Sequence, residues 1–171
     1  MTLVFQYGSN CSITRLNSYD RLRGEARPLG WAETLDNFEL QFDVWSFKNN
    51  CAASNIVRGG DHSVQGVLYD IPDHLMAKAT ASLLERRSFD EIEGGAYKRI
   101  RITVRDREGN ELDAQTYVVR NPKSGLLTSS EYVAHIIRGL REHHASEEYI
   151  AKVKRSATTN NPRIAATIAD L

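Results

Sequence analysis

The sequence predicts a mixed α+β domain. Apolar and polar residues alternate with period two along much of the first two thirds of the chain, and turn residues interrupt them at hairpin-like intervals. The C-terminal third changes to helical spacing. At 171 residues the chain fits one domain with a single sizeable core.

Leu3-Val4-Phe5 is a short apolar strand that ends at Tyr7-Gly8-Ser9-Asn10, whose residue types favour a turn or a helix N-cap. Ile13, Leu16 and Tyr19 share a face and predict a short helix over 12–22, broken by Gly24 and Pro28. From Trp31 to Val57, Phe38, Leu40 and Phe42 alternate with Glu39, Gln41 and Asp43, the pattern of a half-buried strand. Ser54–Val57, the Gly59-Gly60-Asp61 turn and Val64–Tyr69 together predict a hairpin.

After Pro72, the spacing of Leu75, Met76, Ala79, Leu83 and Leu84 predicts a helix. Tyr97–Val104 and Ala114–Val119, with Glu108-Gly109-Asn110 between them, predict a second hairpin. Tyr132, Ile136, Ile137 and Leu140 define one helical face, and Tyr149, Ile150 and Val153 begin another. Both helices are expected to pack across the sheet. Residues 156–171, rich in Thr, Asn and Ala without a firm period, read as a flexible tail, so the domain is expected to span 1–155.

Twenty-two basic residues balance twenty-two acidic ones without long runs of either sign. This disfavours a nucleic-acid or anionic-membrane partner and favours a small metabolite. The N-terminus has neither a basic start nor a long apolar run, so no membrane span is expected and a cytoplasmic location is. Cys11 and Cys51 have no metal-knuckle spacing and are expected to be reduced and structural. No feature specifies an oligomeric state.

Two segments carry chemistry. The Tyr7–Asn10 loop follows a strand and can present backbone N–H groups to an oxyanion or carboxylate, although its residues equally suit an ordinary turn. Residues 89–94, Phe-Asp-Glu-Ile-Glu-Gly, place three carboxylates beside glycine. A carboxylate buried there would have its pKa raised toward neutrality and could shuttle protons, whereas a solvated acidic turn would not. Ser9 lacks the G-x-S-x-G surroundings of a hydrolase nucleophile, and His62, His74, His135, His143 and His144 show no triad spacing. His143 and His144 are adjacent and diverge on a helix, which disfavours a metal site.

Taken in order, these motifs resemble the γ-glutamylcyclotransferase family, also described as the fold of plant avirulence-induced proteins. The resemblance rests on the Tyr7–Asn10 loop, the strand-like 34–40, Val64-Gln65-Gly66-Val67-Leu68-Tyr69, Glu93-Gly94, Tyr97 and Thr116-Tyr117-Val118, and it covers roughly residues 3–155. It implies a small, curved, mostly antiparallel sheet forming a partial barrel flanked by helices. It also implies a reaction in which a γ-glutamyl amine or γ-glutamyl amino acid cyclises to 5-oxoproline and releases the amine, with no cofactor and no metal. Glu93, directly before Gly94, is then the general acid/base, and Glu91 is assigned to solvent. Tyr7, Gly8, Ser9 and Asn10 hold the substrate, Cys11 stands on the pocket wall where the family commonly has Leu or Met, and Tyr97 and Tyr117 shape the pocket. Two alternatives accompany this reading: removal of a γ-glutamyl protecting group from a biosynthetic intermediate, and a non-catalytic binding protein of the same fold.

Overall fold

The computed structural model of the chain describes residues 1–77 and 87–171. Strands β1 (Thr2–Gln6), β2 (Arg27–Thr34), β5 (Gln65–Ile71), β6 (Tyr97–Asp106) and β7 (Glu111–Val119) form a closed barrel in the order β1-β5-β2-β6-β7. Its pairings are antiparallel except the one that closes it, where Val4 of β1 meets Gln115 of β7 in parallel. Among the described residues, strands β3 (Phe38–Ser46) and β4 (Cys51–Arg58) pair only with each other, as a separate hairpin.

Burial along the strands explains this layering. In β5, Gly66 to Ile71 are buried without a break, because both faces are covered. In β6, Ile102 and Val104 are buried while Arg101 and Arg105 are exposed, so that strand keeps one wet face. Helix α3 (Ser130–Glu142) buries Tyr132, Val133, Ile136, Ile137 and Leu140, and helix α4 (Glu147–Asn160) buries Tyr149, Ile150 and Val153. Each starts at a serine cap: Ser129 Oγ accepts from Tyr132 N, and Ser146 Oγ accepts from Tyr149 N, both at 3.2 Å. No described helix is long and apolar enough to cross a membrane.

Gly139 lets α3 touch the loop after β1. A Cβ there would lie 2.3 Å from both Cys11 C and Ser12 N, which are backbone atoms that cannot rotate away. Gly139→Ala is therefore expected to cost about 1–3 kcal/mol, the scale of overpacking. Thermal melting checks this, and an unchanged midpoint would contradict the close approach.

Several expectations from the sequence are corrected. The β4–β5 hairpin does not form: both edges of β5 are taken by β1 and β2, so residues 59–64 carry the chain between sheets instead of turning it back. The half-buried strand read over Trp31–Val57 is β2, β3 and β4 in succession. A register shift between Phe42 and Val44 turns Asp43 inward, where its carboxylate accepts from Asn55 Nδ2 at 3.0 Å. The helix read over 12–22 shrinks to α1 (Ile13–Leu16), and Tyr19 is exposed. Asp73–Leu75 form a 3-10 turn after Pro72, and the helix expected there, through Ala79, Leu83 and Leu84, lies outside the described residues and is not among these corrections.

The expected tail is also different. Helix α4 runs on to Asn160, the 3-10 turn Pro162–Ile164 follows, and α5 (Ala165–Ala169) ends the fold. Ala157, Ile164 and Ile168 are buried. The local period is lost because Asn161-Pro162 starts a new turn, with Asn161 as its cap and proline at its first position.

Candidate active site

β1 delivers Tyr7 and Gly8 from the barrel to a 3-10 turn, Ser9–Cys11. Gly8 has a steric reason: a Cβ there would lie 2.3 Å from Ser54 Oγ of β4. Tyr7 is buried and donates its hydroxyl to Tyr117 O at 2.6 Å. Ser9 Oγ accepts from Arg15 Nε at 3.2 Å, and Arg15 Nη2 donates to Asn49 Oδ1 at 2.6 Å, which ties the turn to the β3–β4 hairpin. Cys11 does not belong to the cavity wall. It is fully buried, its thiol donates to Gln6 O at 3.1 Å, and burial pushes its pKa up.

The acidic segment is the short helix α2 (Phe89–Glu93) rather than a turn. Ser88 Oγ accepts from Glu91 N at 3.1 Å and Glu91 Oε2 accepts from Ser88 N at 3.0 Å, a capping box that gives Glu91 a structural task. At about 100° per residue, a helix turns Glu93 to the side opposite Glu91. Gly94 then takes φ 80°, a left-handed conformation that glycine accepts freely, and the chain leaves for β6.

Glu93 Oε1 accepts from Asn10 Nδ2 at 2.8 Å, joining residues 83 positions apart. Asn10 Oδ1 in turn accepts from Arg21 Nη1 at 2.7 Å. Burial pushes the Glu93 carboxyl up to about 7. Hydrogen bonds from Asn10 and Gln6 and the charge of Arg21 oppose that rise, and Asp90 adds to it.

Around this carboxylate stand the phenols of Tyr7, Tyr117 and Tyr132, which are buried, and of Tyr97, which is half-buried. Tyr97 donates to Ser54 O and Tyr117 donates to Asp90 Oδ1, both at 2.7 Å. The Tyr132 hydroxyl accepts from Ser54 N at 3.1 Å and lies 3.0 Å from Ser54 Oγ. Burial raises the pKa of each of these tyrosines, so they remain protonated, neutral groups at physiological pH.

Tyr7, Gly8, Ser9, Asn10, Glu93, Tyr97 and Tyr117 thus all line one recess of about 30 Å³. Ser9, Asn10, Glu93, Tyr97 and Tyr132 also line an adjoining open cavity of about 420 Å³. Sequence reasoning missed Arg21, Ser54 and Tyr132, and it named Asp90 only as one of three carboxylates in its segment. Tyr132 read as a core position on α3, and Arg21 carried no motif at all. Among the described residues, no group of three or more His, Cys, Asp or Glu side chains gathers where a metal ion could sit.

Fold and site together define a small α+β barrel domain with a largely desolvated carboxylate in the wall of a metabolite-sized cavity. A model of the AIG2-like family matches residues 63–153, and the chain belongs to that family. It is 28% identical over 156 residues to a mouse protein named gamma-glutamylcyclotransferase, an alignment covering 89% of this chain and 77% of that one. A solved structure named gamma-glutamyl cyclotransferase superposes with a TM-score of 0.72 at 26% identity, covering 90% of this chain and 86% of the other. A human protein described as uncharacterized gives a TM-score of 0.71 at 26% identity, with the same coverages of 90% and 86%.

Proposed function

We propose that this protein is a γ-glutamylcyclotransferase that converts a γ-glutamyl amine or γ-glutamyl amino acid to 5-oxoproline and the free amine, with Glu93 as general acid/base. The observation that carries the proposal is Glu93 itself: a carboxylate in a cavity wall, anchored by Asn10, with burial pushing its pKa up to about 7. An α-amine has an ordinary pKa of about 8, so the two groups are matched for proton transfer near neutral pH. Similarity to proteins named for this activity supports the same reading.

In the reaction the glutamyl α-amine attacks its own γ-carbonyl carbon. Glu93 takes a proton from the attacking nitrogen as the new C–N bond forms, and returns it to the departing amine as the old C–N bond breaks. Atoms balance without water. Attack within one molecule has a high effective concentration, so the site's main task is to fold the substrate. A recess of about 30 Å³ suits a single oxygen atom rather than a ring. The γ-carbonyl oxygen is assigned to it, beside the Tyr7–Asn10 turn, where charge develops in the transition state. The rest of the substrate occupies the outer cavity of about 420 Å³.

Incubation with a panel of γ-glutamyl amides is expected to yield 5-oxoproline, identified by mass spectrometry. Free glutamate carrying oxygen from labelled water would instead mark a hydrolase and overturn the cyclisation.

A further inference from the structure

Arg21 lies in the connection between α1 and β2, 8% exposed, and lines the outer cavity. Its side chain makes one hydrogen bond among the described residues, to Asn10 Oδ1 at 2.7 Å, and no ion pair. A guanidinium carries five N–H donors, so most of its capacity is unused. The other basic side chains lining the cavity are engaged: Lys48 pairs with Asp20, and Arg87 donates to the backbone oxygens of Asp20 and Glu91. Glu93 and Asp20 act on this guanidinium only through space, without a direct ion pair among the described residues, and an anionic ligand bonded to it would offset more of the cost of its burial.

We infer that Arg21 is the anchor for the α-carboxylate of the substrate's glutamyl group, an inference that rests on the reaction proposed above. The carboxamide of Asn10 bridges Arg21 and Glu93, so the guanidinium and the acid/base group stand one amide apart at the same cavity. In a γ-glutamyl group the α-amine and α-carboxylate share one carbon. The residue that takes the amine's proton and the residue that holds the carboxylate must therefore be neighbours. A guanidinium fork suits a carboxylate, which it can bind through two parallel hydrogen bonds. Holding the carboxylate fixes the α-carbon and leaves its amine facing Glu93.

The test is binding, which needs no turnover. 5-Oxoproline retains this carboxylate, while 5-oxoprolinamide is the same ring with a neutral amide in its place. Both are titrated calorimetrically into the wild type, Arg21→Lys and Arg21→Gln, with a melting curve for each protein. The wild type is expected to prefer the acid by about tenfold to a hundredfold, the scale of a charge-assisted pair. Arg21→Lys should keep part of that preference, and Arg21→Gln should bind acid and amide within about threefold of each other. Should the Gln variant not fold, the wild-type preference and its reduction in Arg21→Lys carry the test.

Equal wild-type affinity for acid and amide, no detectable binding of 5-oxoproline, or a preference that survives in a folded Arg21→Gln would overturn the assignment. A γ-glutamyl panel that yields no 5-oxoproline while the acid preference holds would overturn the reaction and leave the carboxylate anchor standing.

Discussion

Glu93→Gln is expected to lower kcat by about a hundredfold or more, the scale of losing a general acid–base group, while the protein stays folded. Glutamine keeps the size of the side chain and can still meet Asn10, but it cannot carry a proton. In the wild type, kcat/KM should fall on the acid side as Glu93 becomes protonated around pH 7, because attack needs the carboxylate. That limb should be absent from the residual activity of the variant.

Stability should move the other way. The folded-state pKa of Glu93 is raised from 4.5 to about 7, so the folded state binds this proton more tightly than the unfolded chain. The corresponding stabilisation is fully present below about pH 4.5 and is lost as pH rises through about 7. At pH 8 the Gln variant, spared a desolvated charge, should melt at or above the wild-type temperature, with the advantage gone at pH 4. Glu91→Gln is the control. Its capping box with Ser88 can be kept by glutamine, and turnover should change only a few-fold. Near-normal turnover in a folded Glu93→Gln would remove the central residue from the proposed mechanism.

Deleting residues 156–171 is expected to unfold the protein or lower its melting temperature on the order of 10 °C or more. The deletion removes Ile164 and Ile168, which are 9% and 1% exposed. Burial of each is worth roughly 1.5–3 kcal/mol, a large share of the roughly 5–15 kcal/mol that holds a domain together. It also removes Asn160, whose Nδ2 donates to Phe42 O and Leu126 O at 3.1 and 2.9 Å and whose Oδ1 accepts from Thr128 N at 2.8 Å. Asn161 Nδ2 bonds Thr128 O at 2.7 Å as well. These bonds fasten the connection ahead of α3, the helix that brings Tyr132 to Ser54. Ile168→Ala alone should cost about 2–5 kcal/mol. A truncated protein that melts like the intact one would show that the C-terminal segment contributes nothing to the core.

The C-terminal segment shows where local reading stops. Its asparagines and threonines look like loop residues, yet Asn160 and Asn161 satisfy backbone groups of distant elements, a use that leaves no periodic trace in the sequence. The β4–β5 turn misled for a related reason. Gly59-Gly60-Asp61 does mark a change of direction, but a turn signal does not say which strand edge is free, and β1 and β2 already occupy β5.

Residue order carries the local features: strands from period two, helices from period 3.6, and the Tyr7–Asn10 and Glu93-Gly94 motifs that support the family resemblance. These features are legible because each depends on residues within a few positions of one another. The tertiary structure alone decided the closed ring of five strands, the inward turn of Asp43, the withdrawal of Cys11 from the cavity, and the Arg21–Asn10–Glu93 chain. Each of those depends on contacts between residues far apart in the chain. Local patterning specifies which face of an element avoids water, and only packing specifies what that face, or a buried polar group beside it, will meet.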